Sequence, residues 1–334
     1  MRYYFSLLVL VAFTNCDRAP SQFKNQFVGE ALGTTYSIIF IANDNLDFRK
    51  EIDSVFQVVN QSMSTYIPNS DISKINAGDS IVVVDGMFKE VFEVSTKVYQ
   101  ASNGYFDPTV GVLVNAWGFG PEEQIQLDSA KVDSLLQFVG WEKVKLNENG
   151  TISKSSPAIR FDFNAVAKGH AIDRLGVMLN QKRIENYLVE VGGEVLTKGS
   201  NTITQKLWTV GVDDPTQLER RGAGAVVQLK DKALASSGNY RKFRIDPETG
   251  EKFVHTINPK NGYTKNSKVL AATVITDDCA TADAYATTFM AMDLQESKAL
   301  LAKDDSLEAF IIYLDENDTP QNFMTTGFEQ LVAY

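Results

Sequence analysis

Asp283 and Thr287 stand four residues apart in Thr281-Ala282-Asp283-Ala284-Tyr285-Ala286-Thr287-Thr288. On a helix that spacing puts a carboxylate and a hydroxyl on one face, and the small alanines between them let a ligand approach. Two oxygen donors suit a hard cation such as Mg²⁺. The same residues also read as an ordinary helix, with Asp283 near its N-terminus favoured by the dipole and Thr287 bonding back to a carbonyl. A second cluster, Asp162-Phe163-Asn164-Ala165-Val166-Ala167-Lys168-Gly169-His170, passes from a predicted strand into a predicted helix. Open helix N–H groups and the Lys168 ammonium can meet a phosphate there. Its plainer reading is a capped helix start with Lys168 in solvent. His255 opens a turn, Thr256-Ile257-Asn258-Pro259-Lys260-Asn261-Gly262. A loop histidine that titrates near neutrality can take a proton from an attacking hydroxyl, or it can simply brace the turn.

What is missing narrows the chemistry further. The chain has two histidines, His170 and His255, which excludes a His-rich zinc site. It has no G-x-S-x-G elbow, no CxxC, no Walker A loop and no G-x-G-x-x-G fingerprint. Oxygen donors must therefore carry any metal. Glycines at Gly192-Gly193, Gly238 and Gly118–Gly120 allow close backbone approach, but they are also turn formers. The formal charge of −10, with no long Lys/Arg run, argues against a nucleic-acid surface.

The elements that must position these groups follow from hydrophobic periodicity. Alternating or apolar runs predict strands over 36–41, 81–84, 159–163, 187–191, 208–212, 225–229, 270–275 and 309–314. Helical spacing predicts 46–63, where Ile52, Val55, Phe56 and Val59 share a face, and 87–102, where Phe88, Val91, Phe92 and Val98 do. Helices are also predicted over 166–179 and 280–292. Strands and helices mix without a regular βαβ alternation, so the class expected is α+β in a single catalytic unit of mixed sheets and helices. The stretches 121–126 and 220–224 read as surface loops.

The first residues differ from the rest. An apolar stretch after Met1-Arg2 ends at Thr14-Asn15-Cys16, the layout of a secretory signal with a core too short to span a bilayer. Cys16 stands where a lipoprotein signal places the cysteine that is lipidated. Residues 1–15 are thus expected to be a signal peptide, 16–27 a lipidated cysteine and tether, and 28–334 the catalytic domain. Cys279, the other cysteine, lies in an Ala-rich segment and reads as a small buried residue.

In order along the chain, these motifs resemble the FAD:protein FMN transferase (ApbE) family. The series begins with Ala31-Leu32-Gly33-Thr34-Thr35-Tyr36 and Met63-Ser64-Thr65-Tyr66 with Ser70. It continues through Phe106-Asp107-Pro108-Thr109-Val110-Gly111, Asn115-Ala116-Trp117-Gly118-Phe119-Gly120 and the Asp162–His170 cluster. Val191-Gly192-Gly193-Glu194, Ser236-Ser237-Gly238-Asn239-Tyr240-Arg241, the His255 turn and Thr281–Thr287 complete it. The resemblance implies an ApbE-like, T-fold-like arrangement that binds FAD as substrate with Mg²⁺ beside its pyrophosphate. By motif, Asp283, Thr287 and the carbonyl of Ala165 would hold the metal. Leu32, Tyr66, Tyr105, Phe106, Asp107, Asp162, Lys168 and Ile257 would contact FAD, and His255 would be the catalytic base. The implied reaction attaches FMN through a phosphoester to a Thr or Ser of a flavoprotein, releasing AMP. The implied acceptor is a subunit of a membrane redox complex, NADH:quinone reductase-like, met by an enzyme lipid-anchored on the periplasmic face of the inner membrane. Two rivals use the same residues: an FAD pyrophosphatase, with Tyr66 as the discriminator, and a non-catalytic FAD-binding lipoprotein.

Overall fold

Period-two alternation builds the sheet. In β2 (Thr34–Ala42), Tyr36, Ile38 and Phe40 are buried on one face against helices, as their spacing requires. The computed structural model describes residues 22–216, 223–239, 243–245, 252–265 and 267–333. Cys16 with the expected signal, and Tyr240 and Arg241, lie outside the described residues. β2 pairs with β1 (Phe23–Ala31) on one side and β5 (Asn186–Val191) on the other. The sheet continues through β6 (Glu194–Lys198), β9 (Ala233–Gly238), β12 (Val269–Thr276), β13 (Glu308–Leu314) and β14 (Pro320–Met324), all neighbours antiparallel. Short hairpins stand apart from it: β3 (Val144–Leu146) with β4 (Ile152–Lys154), β7 (Trp208–Asp213) with β8 (Ala223–Leu229), and β10 (Phe243–Ile245) with β11 (Lys252–Val254).

Helices and strands then divide the core by face. Ala272, Val274, Ala309 and Ile311 of β12 and β13 join the cluster formed with α1 (Arg49–Met63), α2 (Asp71–Asn76), α3 (Gly86–Ala101) and α7 (Cys279–Ala291). Their neighbours Ala271, Ile275, Phe310 and Ile312 join another cluster with β7, β8 and α9 (Thr326–Leu331). α6 (Ala167–Gln181) packs with α1 against β2 and β5. α4 (Gly111–Ala116) and α5 (Ser129–Leu136) form a satellite core with Trp117 and Ile257, and α8 (Leu294–Leu301) adds Leu301 to the main cluster. The α+β expectation matches this arrangement.

Three expectations change. Residues 81–84 are not a strand: Val83 makes one bridge to Thr151, and Asp85 then caps α3 by accepting from Phe88 N–H at 2.8 Å. Residues 159–163 are not a strand either. Arg160 makes one bridge to Val110, and Asn76 accepts from Phe161 N–H (2.7 Å) and donates to Phe161 O (2.9 Å), so a side chain replaces a ladder. The expected tether overlaps β1, which begins at Phe23. That edge strand is polar; its buried residue Asn25 carries it by bonding the backbones of Asp44 and Leu46. Helices α2, α4, α5, α8 and α9, and strands β6, β9 and β14, were not anticipated; β9, Ala-Leu-Ala-Ser-Ser-Gly, lacks the branched residues that mark strands.

Two contacts position the site. Where α6 meets α7, a Cβ on Gly169 would lie 2.2 Å from the Cys279 carbonyl, so only glycine permits that separation. Asp173 of α6 accepts from the N–H groups of Cys279 and Ala280 at the start of α7, both at 2.8 Å. Farther away, buried Asp107 accepts from Thr109 N–H and hydroxyl and from Trp141 N–H at 3.0 Å, closing the Asp107–Thr109 turn onto Trp141. Burial pushes the Asp107 carboxyl up to about 6, against the pull of those hydrogen bonds.

Gly169→Ala should lower unfolding free energy by about 1–3 kcal/mol or more, the ordinary cost of overpacking. A fall in denaturant midpoint at constant m would show it; an unchanged midpoint would refute the close approach. Asp107 gives a pH signature. Its native carboxyl holds a proton more tightly than the unfolded one, so its contribution to stability is complete below pH 3.8 and lost as pH rises through about 6. The change amounts to about 3 kcal/mol. Urea midpoints between pH 4 and 7 should fall less steeply in Asp107→Asn than in the unsubstituted protein; parallel profiles would contradict the assignment.

Candidate functional site

The third N–H of a helix has no partner within it. At α6 that donor is Gly169 N–H, and it meets Asp283 Oδ2 of α7 at 3.1 Å. This is the hydrogen bond Asp283 accepts among the described residues, although the side chain is buried. Burial drives the Asp283 carboxyl above its usual range, while Lys168 and the Gly169 N–H pull it down. One turn further along α7, the Thr287 hydroxyl lies 3.1 Å from that of Ser237. The Ala165 carbonyl precedes α6 and receives no hydrogen bond from the described residues. No described acceptor meets the Lys168 N–H either. The structure thus draws Asp283 and the segment from Ala165 to Gly169 together, and leaves oxygen acceptors and a helix N–H open beside them.

Lys168 is half-buried rather than free in solvent. Its ammonium lies 2.7 Å from Glu194 Oε2, a charge contact rather than an aligned hydrogen bond. Burial alone would lower its pKa, but the charges of Asp283 and Glu194 outweigh that and raise it, so Lys168 stays cationic. Glu194 starts β6 directly after the two-residue turn Gly192-Gly193, where φ is +62° and +102°. Positive φ at both positions is what a tight hairpin of this twist demands. The neighbouring hairpin β1–β2 turns through Leu32-Gly33, with φ +52° at Leu32, a left-handed conformation that costs a side-chain-bearing residue about 1–2 kcal/mol. Gly192 N–H donates to Thr35 O at 3.0 Å, which sets the two turns side by side at one end of the sheet. Leu32 packs there between two core clusters.

Each of the other expected contacts has its own anchoring. Tyr66 is 59% exposed, and burial followed by the nearby Asp162 charge raises its phenol pKa, which places the two side chains near each other. Ser70 donates to Ser64 O at 2.6 Å and caps α2, holding the turn that carries Tyr66. Asp162 accepts from Asn164 N–H at 2.7 Å. Tyr105 donates to Glu296 at 3.2 Å, and Lys260 sits 3.9 Å from the centre of its ring. The Phe106 side chain is buried in the main core, and Asp107 is engaged within the protein, so any ligand would meet that stretch at its backbone.

His255 follows β11, in a loop held from three sides. Thr256 donates to Asn239 at 2.9 Å, Lys265 N–H donates to Thr256 O at 2.7 Å, and Ile257 is buried against Leu113 and Trp117. Trp117 Nε1–H donates to Gly262 O at 2.9 Å and closes the far end of the turn. Asn239 stands two residues after Ser237, the partner of Thr287, so the end of β9 ties the His255 loop to α7. Sequence reasoning assigned no role to Asp173, Glu194 or Asn239. Glu194 and Asn239 lie inside motifs already singled out; no spacing connects Asp173 to the start of α7.

Residues 32–311 match the family model described as "ApbE family". The chain is 32% identical over 303 residues to a protein of Haemophilus influenzae named FAD:protein FMN transferase, covering 86% of each. It is 30% identical over 319 residues to the protein of that name from Vibrio cholerae, covering 93% of each. The solved flavin transferase ApbE from Vibrio cholerae superposes with a TM-score of 0.82 at 28% identity, over 93% of this chain and all of that one. A match over this span means that the chain belongs to the ApbE family.

Proposed function

We propose that this protein is an FAD:protein FMN transferase, the activity for which its relatives are named, and that it uses Mg²⁺. The observation that carries the site assignment is the Asp283–Gly169 contact. It holds a buried carboxylate against the N-terminus of α6, with Thr287 one turn further along α7 and the Ala165 carbonyl just before α6, bonded to no donor among the described residues. That donor set is all oxygen, the chemistry of a hard cation. It is also sparse in carboxylates: the described residues hold no group of three His, Cys, Asp or Glu side chains suited to a metal. A site of this kind leaves coordination positions for substrate phosphate, as Mg²⁺ sites usually do.

Mg²⁺ bound there would neutralise and polarise the pyrophosphate. The chain's own groups do the rest. The α6 N-terminus and Lys168 orient the phosphates. Tyr66 offers a ring to stack on FAD, and Leu32 flanks it from the hairpin turn. The hydroxyl of a Thr or Ser in the acceptor protein attacks the FMN-side phosphorus. A new P–O bond forms as the bridging bond to AMP breaks, the hydroxyl proton passes to His255, and AMP leaves. The acceptor fits a flavoprotein subunit of a membrane redox complex, and a lipid on Cys16 would hold the enzyme at the periplasmic face of the inner membrane beside it.

Mass spectrometry of an acceptor domain incubated with the protein, FAD and Mg²⁺ should show the gain of one FMN phosphoester, absent with EDTA or Asp283→Ala. Intact FAD would reduce the protein to a binding lipoprotein; free FMN and AMP without a mass gain would make it a pyrophosphatase. His255→Ala should cut transfer by about 10²-fold or more, the ordinary worth of a general base, while leaving FAD affinity nearly unchanged. Loss of FAD binding in that variant would assign His255 to the fold instead. Tyr66→Asn should release free FMN and AMP, and no release would remove Tyr66 as the residue separating transfer from hydrolysis.

A further inference from the structure

Glu194 is a buried carboxylate with no part in the mechanism above, yet it meets the most consequential cation of the site. Its side chain is 3% exposed, and its Oε2 lies 2.7 Å from the Lys168 ammonium. Burying a carboxylate is costly unless its charge is matched, and Lys168 matches it. The same ammonium also lies within electrostatic reach of Asp283, so two carboxylates share one cation. The backbone fixes which of them takes it. The Gly192-Gly193 turn delivers Glu194 to the first position of β6, and Asp283 is held from the other side by Gly169 N–H. Asp283 therefore keeps an oxygen for another partner, while Lys168 is drawn toward the sheet.

From this geometry we infer that Glu194 is a positioning residue: it holds Lys168 as a counter-ion so that the charge of Asp283 stays available to a divalent cation. The inference rests on the metal site proposed above. With Glu194, Asp283 and Lys168 all ionised, the three side chains carry a net charge of −1. Glu194→Gln brings that sum to zero and frees Lys168 to pair with Asp283, in direct competition with the metal. Lys168→Met in the same chain removes the competitor and returns the sum to −1. A purely structural role for Glu194 makes the opposite forecast, because a second buried substitution would then add damage rather than relieve it.

The test is Mn²⁺ binding to the full chain without FAD, followed by electron paramagnetic resonance of the free ion, which needs no turnover. Glu194→Gln should weaken Mn²⁺ about tenfold, a coupling within the usual range for two interacting sites. Glu194→Gln with Lys168→Met should return close to the unsubstituted affinity, and Glu194→Asp, which keeps the charge, should lose less than Glu194→Gln. Circular dichroism confirms that each variant is folded, and the Asp variant keeps the test open if the Gln variant is not. Equal Mn²⁺ affinity in Glu194→Gln and the unsubstituted protein would overturn the inference, as would a loss that Lys168→Met fails to relieve. If the unsubstituted protein binds no Mn²⁺ and Asp283→Ala changes nothing, the metal site itself falls and takes the role of Glu194 with it.

Discussion

Two helices meet here with almost no space between their backbones, and each completes the other. Gly169 lets α6 approach the Cys279 carbonyl to a distance that any side chain would block. At that separation Asp283 of α7 accepts the orphan N–H of Gly169, while Asp173 of α6 accepts the first two N–H groups of α7. The exchange satisfies buried donors that would each cost about 1–3 kcal/mol if left unpaired. It also brings Asp283 to the start of α6, where the Ala165 carbonyl and the Lys168 N–H have no partner among the described residues. Widening the contact by one methyl group would loosen the capping and the site together.

The rest of the molecule brings loops to that contact. The antiparallel sheet sets the Leu32-Gly33 and Gly192-Gly193 turns side by side, so Leu32 and Glu194 arrive at the same end. β9 reaches α7 through Ser237 and the His255 loop through Asn239, two bonds made within three residues of one strand end. Gly262 and Lys260 tie that loop to the segments carrying Trp117 and Tyr105. The base proposed at His255 would need its loop held, and these bonds hold it.

Some of this was legible in the sequence, and the boundary has a physical cause. Helical spacing exposed Asp283 with Thr287, and period-two alternation exposed β2, β5, β12 and β13, because both patterns are local. The runs at 81–84 and 159–163 had strand-like composition but no partner strand: Asp85 and Asn76 satisfied the backbone in other ways. β1 hid because an edge strand with a polar face carries no alternation to read, and β9 because close packing against α7 selects small residues. Asp173 and Glu194 were invisible as functional groups for the same reason. Their partners lie 106 residues away in the case of Cys279 and on a different element in the case of Lys168, and neither separation has a period.

The charge of the site follows from that assembly. The chain is acidic overall, with a formal charge of −10 and no long Lys/Arg run. A pyrophosphate brought to this sheet end would meet Asp283 and Glu194, with Lys168 close to both and its ammonium already paired with Glu194. A helix N-terminus contributes only about half a positive charge. These groups by themselves would set a doubly charged phosphate in a negative field, a repulsive arrangement in a partly desolvated site. The oxygens of Asp283, Thr287 and Ala165 proposed as metal ligands would answer that imbalance with a place for added positive charge, and Glu194, on the inference above, would keep Lys168 from filling it.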